Sequence, residues 1–114
     1  MIVVSNRIPV APGDEAALAT RLADRVGLVE QHPGFVRLEV LRPAPGVLAG
    51  QETTGTAAYL ILTYWARAED FVAWARSDDF RRAHGPRATD DAFAGPAAFE
   101  VHELVRTTEG PGPP

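Results

Sequence analysis

The first eight residues alternate. Ile2, Val4, Asn6 and Ile8 share one parity and Met1, Val3, Ser5 and Arg7 the other, which is the period-two pattern of a strand with one buried face. Pro9 can end this strand, and Ala11-Pro12-Gly13-Asp14 is a turn cluster. Asp14 then serves as an N-cap, and Glu15 falls in a first turn, where the helix dipole favours it. Leu18, Leu22, Val26 and Val29 follow at helical spacing, widened by Ala19 and Ala23. This predicts one amphipathic helix of about four turns, ending near Gln31. His32-Pro33-Gly34 stops it, because the residue before proline leaves the α region and glycine lets the chain turn.

Phe35 to Arg42 alternates again, with Val36, Leu38 and Val40 on one face and Arg37 and Glu39 on the other. Pro43 ends that strand. The next stretch, 44–56, is rich in Gly and Thr and long for a link between two strands; it reads as an excursion that could serve as a lid. Ala57 to Trp65 is apolar or aromatic on both parities, as in a strand covered on both faces. Ala68 to Ala75 is helical, with Phe71 and Trp74 three apart. Ser77-Asp78-Asp79 looks like a fresh N-cap with an acidic first turn, opening a short second piece that runs to His84 and stops at Gly85-Pro86. After a polar loop, Ala97 to Arg106 forms a last strand with Phe99, Val101 and Val105 on one parity.

The order is β-α-β-β-α-β. It predicts an α+β, ferredoxin-like domain over residues 1–106 with an antiparallel four-stranded sheet, followed by a disordered tail at 107–114. Helices of this number cover only one face of such a sheet. Strand three is read as apolar on its second face as well, through Tyr59, Ile61 and Trp65, so the expected cover is a second sheet. The predicted assembly is a homodimer with sheet packed on sheet, a dimeric α+β barrel.

Composition narrows the chemistry. Apolar residues at 46% and charged residues at 23% suit a globular domain. The net charge of −4 comes without a basic cluster, which argues against nucleic acid as partner. No apolar run approaches the ~20 residues of a membrane helix, and the N-terminus lacks the marks of a signal peptide, so the expected location is cytoplasmic. With no cysteine in 114 residues, disulfide scaffolds, thiolate nucleophiles and Cys-ligated metal or iron–sulfur sites are excluded. There is no Gly-x-Gly-x-x-Gly, P-loop or Ser nucleophile elbow, which leaves nicotinamide and phosphoryl-transfer chemistry without support.

Three residues stand out. Asn6 is a polar amide on an apolar strand face, where it costs free energy unless hydrogen-bonded. It is either a structural amide tied to a loop or a donor aimed into a pocket between sheet and helices. His84 ends its helical piece, so it either caps the carbonyl end or serves as an axial ligand to iron. Trp74 is either core or a wall of the same cavity. On one unbroken helix it would stand about 80° from His84, and a break at Ser77 changes that relation. His32, in its turn before Pro33, and His102, on a solvated parity, are weaker candidates, and no His-x-x-x-His pattern suggests hydrolytic zinc. Arg21 and Arg25 flank the stripe of helix one and would pair either with acidic side chains or with a ligand carboxylate.

Taken together, Asn6-Arg7-Ile8, the His32-Pro33-Gly34-Phe35 turn and the segment from Trp74 through Ser77-Asp78 and Phe80 to Ala83-His84 resemble the antibiotic-biosynthesis-monooxygenase (ABM) superfamily. Within it they are most similar to the heme-degrading, IsdG-like branch. The resemblance spans about residues 1–106 and implies heme as both substrate and cofactor. It implies His84 as the proximal iron ligand, Asn6 as a distal hydrogen-bond donor, Trp74 pressing on and ruffling the macrocycle, and Arg25 near the heme. It also implies O2 and an external electron donor, with a reductase as candidate partner, and cleavage of the porphyrin with release of iron. Two other readings remain open at this stage. One is a cofactor-independent ABM monooxygenase of an aromatic or quinol-like molecule. The other is a non-enzymatic heme or small-ligand-binding dimer.

Overall fold

The computed structural model describes residues 1–23, 27–44, 46–47, 50, 58–84 and 98–113, apart from the side chains of Ala83 and His84. The elements are β1 (Ile2–Pro9), α1 (Glu15–Ala23), a 3-10 turn (Val29–Gln31), β2 (Phe35–Leu41), β3 (Ala58–Trp65), α2 (Ala68–Ala75), α3 (Asp78–His84) and β4 (Ala98–Glu103). The strands form one sheet in the order β2-β3-β1-β4, with every pairing antiparallel. This is the ferredoxin-like α+β arrangement that the β-α-β-β-α-β order predicts.

The first helix differs from expectation. The predicted continuous helix to Gln31 is two pieces, α1 and the 3-10 turn, with Gly27 between them in the left-handed region at φ 91°. Gly27 accepts that conformation without a Cβ clash. Two side chains hold the break: Glu30 accepts from the Gly27 amide, and Gln31 Nε2 donates to the Gly27 carbonyl at 2.6 Å. The helical spacing of Val29 therefore survives although the helix does not. Val29 still reaches the core, from the 3-10 turn.

Two strand parities are corrected. In β2 a bulge falls between Phe35, opposite Trp65, and Arg37, opposite Tyr64. The extra residue places Phe35 on the same face as Leu38 and Val40, and it leaves Val36 exposed at the bulge rather than in step with them. In β3, Tyr59, Ile61 and Trp65 pack under the helices, not on the second face. The apolar residues of the second face are Leu60, Leu62 and Tyr64, all half-buried. A strand apolar on both parities offers no pattern from which to choose its inner face.

The helices divide the covered face between them. At one end, α2, α3 and the 3-10 turn sit over Ile2, Val4 and Trp65, adding Val29 and Trp74. At the other end, α1 lays Leu18 over Ile8 and Ile61. Trp65, fully buried, anchors the first cluster and meets Phe35 and Phe71 edge-on at 5.4 and 5.9 Å. The turn that feeds β2 is fixed by Gly34, at φ 84°, whose carbonyl accepts from Ala66 N at 2.8 Å. A Cβ at Gly34 would overlap the Asp70 carboxylate. No helix among the described residues is long and apolar enough to cross a membrane.

Candidate active site

Asn6 lies on β1 between Val4, which belongs to one core cluster, and Ile8, which belongs to the other. It therefore stands at the seam between the two helical covers. Its Oδ1 is buried and has no hydrogen-bond partner among the described residues. A buried amide oxygen left unpaired costs about 1–3 kcal/mol. Of the two readings for Asn6, the structural tie to a loop finds no bond to that oxygen.

The seam holds a cavity of ≈ 50 Å³. Val4 and Asn6 come from β1, Ile61 and Thr63 from β3, and Leu38 and Phe99 from the flanking strands. Phe71 and Trp74 of α2, Phe80 of α3 and Val29 close the cavity from above. Among the described residues the lining is aromatic and aliphatic except for Asn6 and Thr63. Thr63 Oγ1 accepts the Trp65 indole N–H at 3.0 Å.

Trp74 is a wall of this cavity and part of the core at once. It is 6% exposed and is held by three rings. His32 meets it edge-on at 4.8 Å, Phe80 does so at 5.6 Å, and Trp65 stacks at 6.5 Å. The expected neighbour, Phe71, instead joins Trp65 and Phe99. His32 is more than a turn residue. Its Nε2 lies 3.1 Å from Asp79 Oδ2, so it ties the turn before β2 to the first turn of α3 while bracing Trp74. The signal in the sequence was the pairing of His32 with an acidic N-terminal turn, which periodicity does not reveal across 47 residues.

The predicted break at Ser77 is present. Ser77 Oγ accepts from Phe80 N at 3.1 Å, the N-cap bond, and donates to the Trp74 carbonyl at 2.6 Å. One hydroxyl thus ends α2 and starts α3. His84 is the last residue of α3. Its side chain, and Arg25 as a whole, lie outside the described residues, as does most of the 44–56 excursion. Of the candidate residues, Asn6 and Trp74 line the same cavity. Among the described residues no group of three or more His, Asp or Glu side chains is placed to hold a metal.

Residues 1–86 match the family described as antibiotic biosynthesis monooxygenase. The chain belongs to that family. It is a monooxygenase, and its relatives place it in the heme-degrading, IsdG-like branch. A heme-degrading monooxygenase of Shouchella clausii is 34% identical over 108 residues, covering 93% of this chain and 94% of that protein. Among solved structures, an arginine-to-serine variant of MhuD with two manganese protoporphyrin IX molecules per active site superposes with TM-score 0.72 at 30% identity, over 96% of this chain and 100% of that one. MhuD of Mycobacterium tuberculosis, a heme-degrader with two hemes bound in its active site, gives TM-score 0.68 at 30% identity with the same coverage.

Proposed function

We propose that this monooxygenase degrades heme, using O2 and electrons from an external donor, and releases the iron. It would work as a homodimer in the cytoplasm, with residues 1–106 as its single domain. The observation that carries the reading is the buried Asn6 Oδ1, unpartnered among the described residues, on a residue that lines an aromatic-walled cavity together with Trp74.

The residues suit a flat, apolar ring with one polar point of contact. The volume suits it only after opening, since pockets for ligands of this size begin at roughly 300 Å³. The outer wall offers a route: Phe99 on the edge strand β4 is 54% exposed, and Leu38 on the opposite edge is 37% exposed. Heme, when bound, supplies the iron–oxygen chemistry itself.

The chain supplies the surroundings. Phe71, Phe80 and Phe99 would give a ligand apolar surroundings, in which a hydrogen bond is stronger than in water. The Asn6 side chain would donate to the ligand through its amide NH2 and stabilise developing negative charge there. Trp74 is backed by His32, Trp65 and Phe80, so it yields little when a flat ligand is pressed against it. Trp74 would thereby press on a flat ring and set its shape and orientation in the site. His84, the last residue of α3, would hold the heme iron, and Arg25 would pair with a heme carboxylate.

Hemin titration tests this. The wild type should give a saturable Soret shift that His84→Ala abolishes, and the band should decay when ascorbate or a reductase is added. Absence of any spectral change with hemin removes the reading. The small volume favours one rival, cofactor-independent oxygenation of a smaller aromatic or quinol-like substrate. That rival predicts oxygen uptake with a polycyclic phenol in chelator-treated protein. Stoichiometric binding without Soret decay would instead indicate a carrier.

A further inference from the structure

The cavity has two polar groups, and their hydrogen-bonding needs are opposite. Asn6 Oδ1 is a buried acceptor without a donor. Thr63 Oγ1 is occupied as an acceptor by the Trp65 indole, and an indole N–H can only donate. The Thr63 hydroxyl proton must therefore point elsewhere. Among the described residues no acceptor takes it, and Thr63 lines the cavity. On the sheet, Asn6 stands opposite Ile61 and Val4 opposite Thr63, so Asn6 and Thr63 are diagonal cross-strand neighbours on one face. Such pairs lie about 7–8 Å apart at the backbone, a span that side chains and one water can close.

We infer that Thr63 and Asn6 hold one ordered water in this cavity, with Thr63 O–H donating to the water and the water donating to Asn6 Oδ1. A cavity of ≈ 50 Å³ exceeds the roughly 10–15 Å³ that a single water needs. The water satisfies both groups without a direct bond between them. It also keeps a mobile proton donor beside Asn6, in a site whose described lining is otherwise apolar. Thr63 is thereby a positioning residue for whatever oxygen chemistry occurs there, oriented by the Trp65 indole behind it. The water site itself stands on the geometry alone. Its part in turnover rests on the function proposed above.

Thr63→Val keeps the shape and removes the hydroxyl, whereas Thr63→Ser restores it. In the ligand-free protein, nuclear magnetic resonance should show the Trp65 indole N–H losing its hydrogen-bonded shift in the valine variant and keeping it in the serine variant. A cross-peak between the Asn6 side-chain amide and a long-lived water should be present in the wild type and the serine variant and absent with valine. If the wild type shows no such water, or the valine variant keeps it, the inference is overturned. With hemin and reductant, Thr63→Val should bind hemin as the wild type does but lose the Soret band about tenfold more slowly, the worth of one hydrogen bond to the transition state. Thr63→Ser should recover the rate. An unchanged rate with valine overturns the role in turnover. Failure of the wild type to bind hemin removes the proposed function and that role with it, while the resonance measurements still decide the water site.

Discussion

Asn6 shows how a side chain declares itself by being in the wrong company. It interrupts a row of Ile and Val, and that mismatch was visible before any coordinate. What the row could not show is that the residue falls between two core clusters, because the seam depends on where α1 ends and α2 begins. Trp74 was ambiguous between core and site for a similar reason, and the structure makes it both. His32 was underrated, since its value comes from Asp79 and Trp74, partners remote in sequence. Gly34 was read as a turn residue, and its left-handed φ and its closeness to Asp70 make that reading strict. Gly34→Ala should cost about 1–3 kcal/mol, measured as a fall in the urea midpoint. Tyr64 gives a pH signature. The hydrogen bond that its hydroxyl donates to Glu39 at 2.7 Å, helped by partial burial, holds the phenol above its ordinary 10.0, while Arg37 over the ring at 3.9 Å acts in the opposite direction. A raised folded value means that the neutral phenol is favoured by folding. Its contribution is fully present below the unfolded pKa and is lost as pH rises through the folded one. Tyr64→Phe should thus be less stable than the wild type at neutral pH, and the gap should close in strongly alkaline solution. A gap that widens there would contradict the pairing.

At the level of elements, hydrophobic period and turn chemistry carried most of the fold. All four strands and the α2–α3 pair lie where alternation, Pro-Gly stops and the Ser77 cap place them. The failures share one cause, which is that period reports burial and not backbone continuity. Val29 keeps helical spacing across the Gly27 break, and the bulge at Val36 shifts β2 by one residue while leaving its composition strand-like. Ser77 is the element-scale test. Removing its hydroxyl deletes both the cap on Phe80 N and the bond to the Trp74 carbonyl. Ser77→Ala should cost about 1 kcal/mol, and Ser77→Asp should recover most of it. The larger effect is on direction. Without the break, α2 and α3 approach one helix, and His84 swings relative to Trp74. Hemin affinity should therefore fall by more than the loss of stability explains, because the folded population barely changes. Parallel thermal melts and hemin titrations separate the two effects.

On the scale of the whole molecule, the sheet has one face under helices and one without any described cover. The second face carries Val3, Leu60, Leu62 and Tyr64, with the Arg37–Glu39 pair at one margin and Glu100 and His102, 3.8 Å apart, at the other. A twofold pairing of this face with itself would bury an apolar centre inside a charged rim, as an isologous interface requires. Leu62 sits near the middle, opposite Ser5 on one side and Glu39 on the other. Leu62→Asp would place a carboxylate in the buried centre and beside Glu39, so it should convert a dimer to monomers in sedimentation velocity, whereas Leu62→Met should not. A wild type that sediments as a monomer would end the paired-sheet reading. The site lies on the opposite face, and its lining comes from one chain. A monomeric Leu62→Asp protein that still melts cooperatively should therefore keep its Soret shift with hemin. Loss of the shift in a folded monomer would mean that pairing shapes the cavity through the sheet, most directly through β3, where Leu62 on one face is flanked by Ile61 and Thr63 on the other.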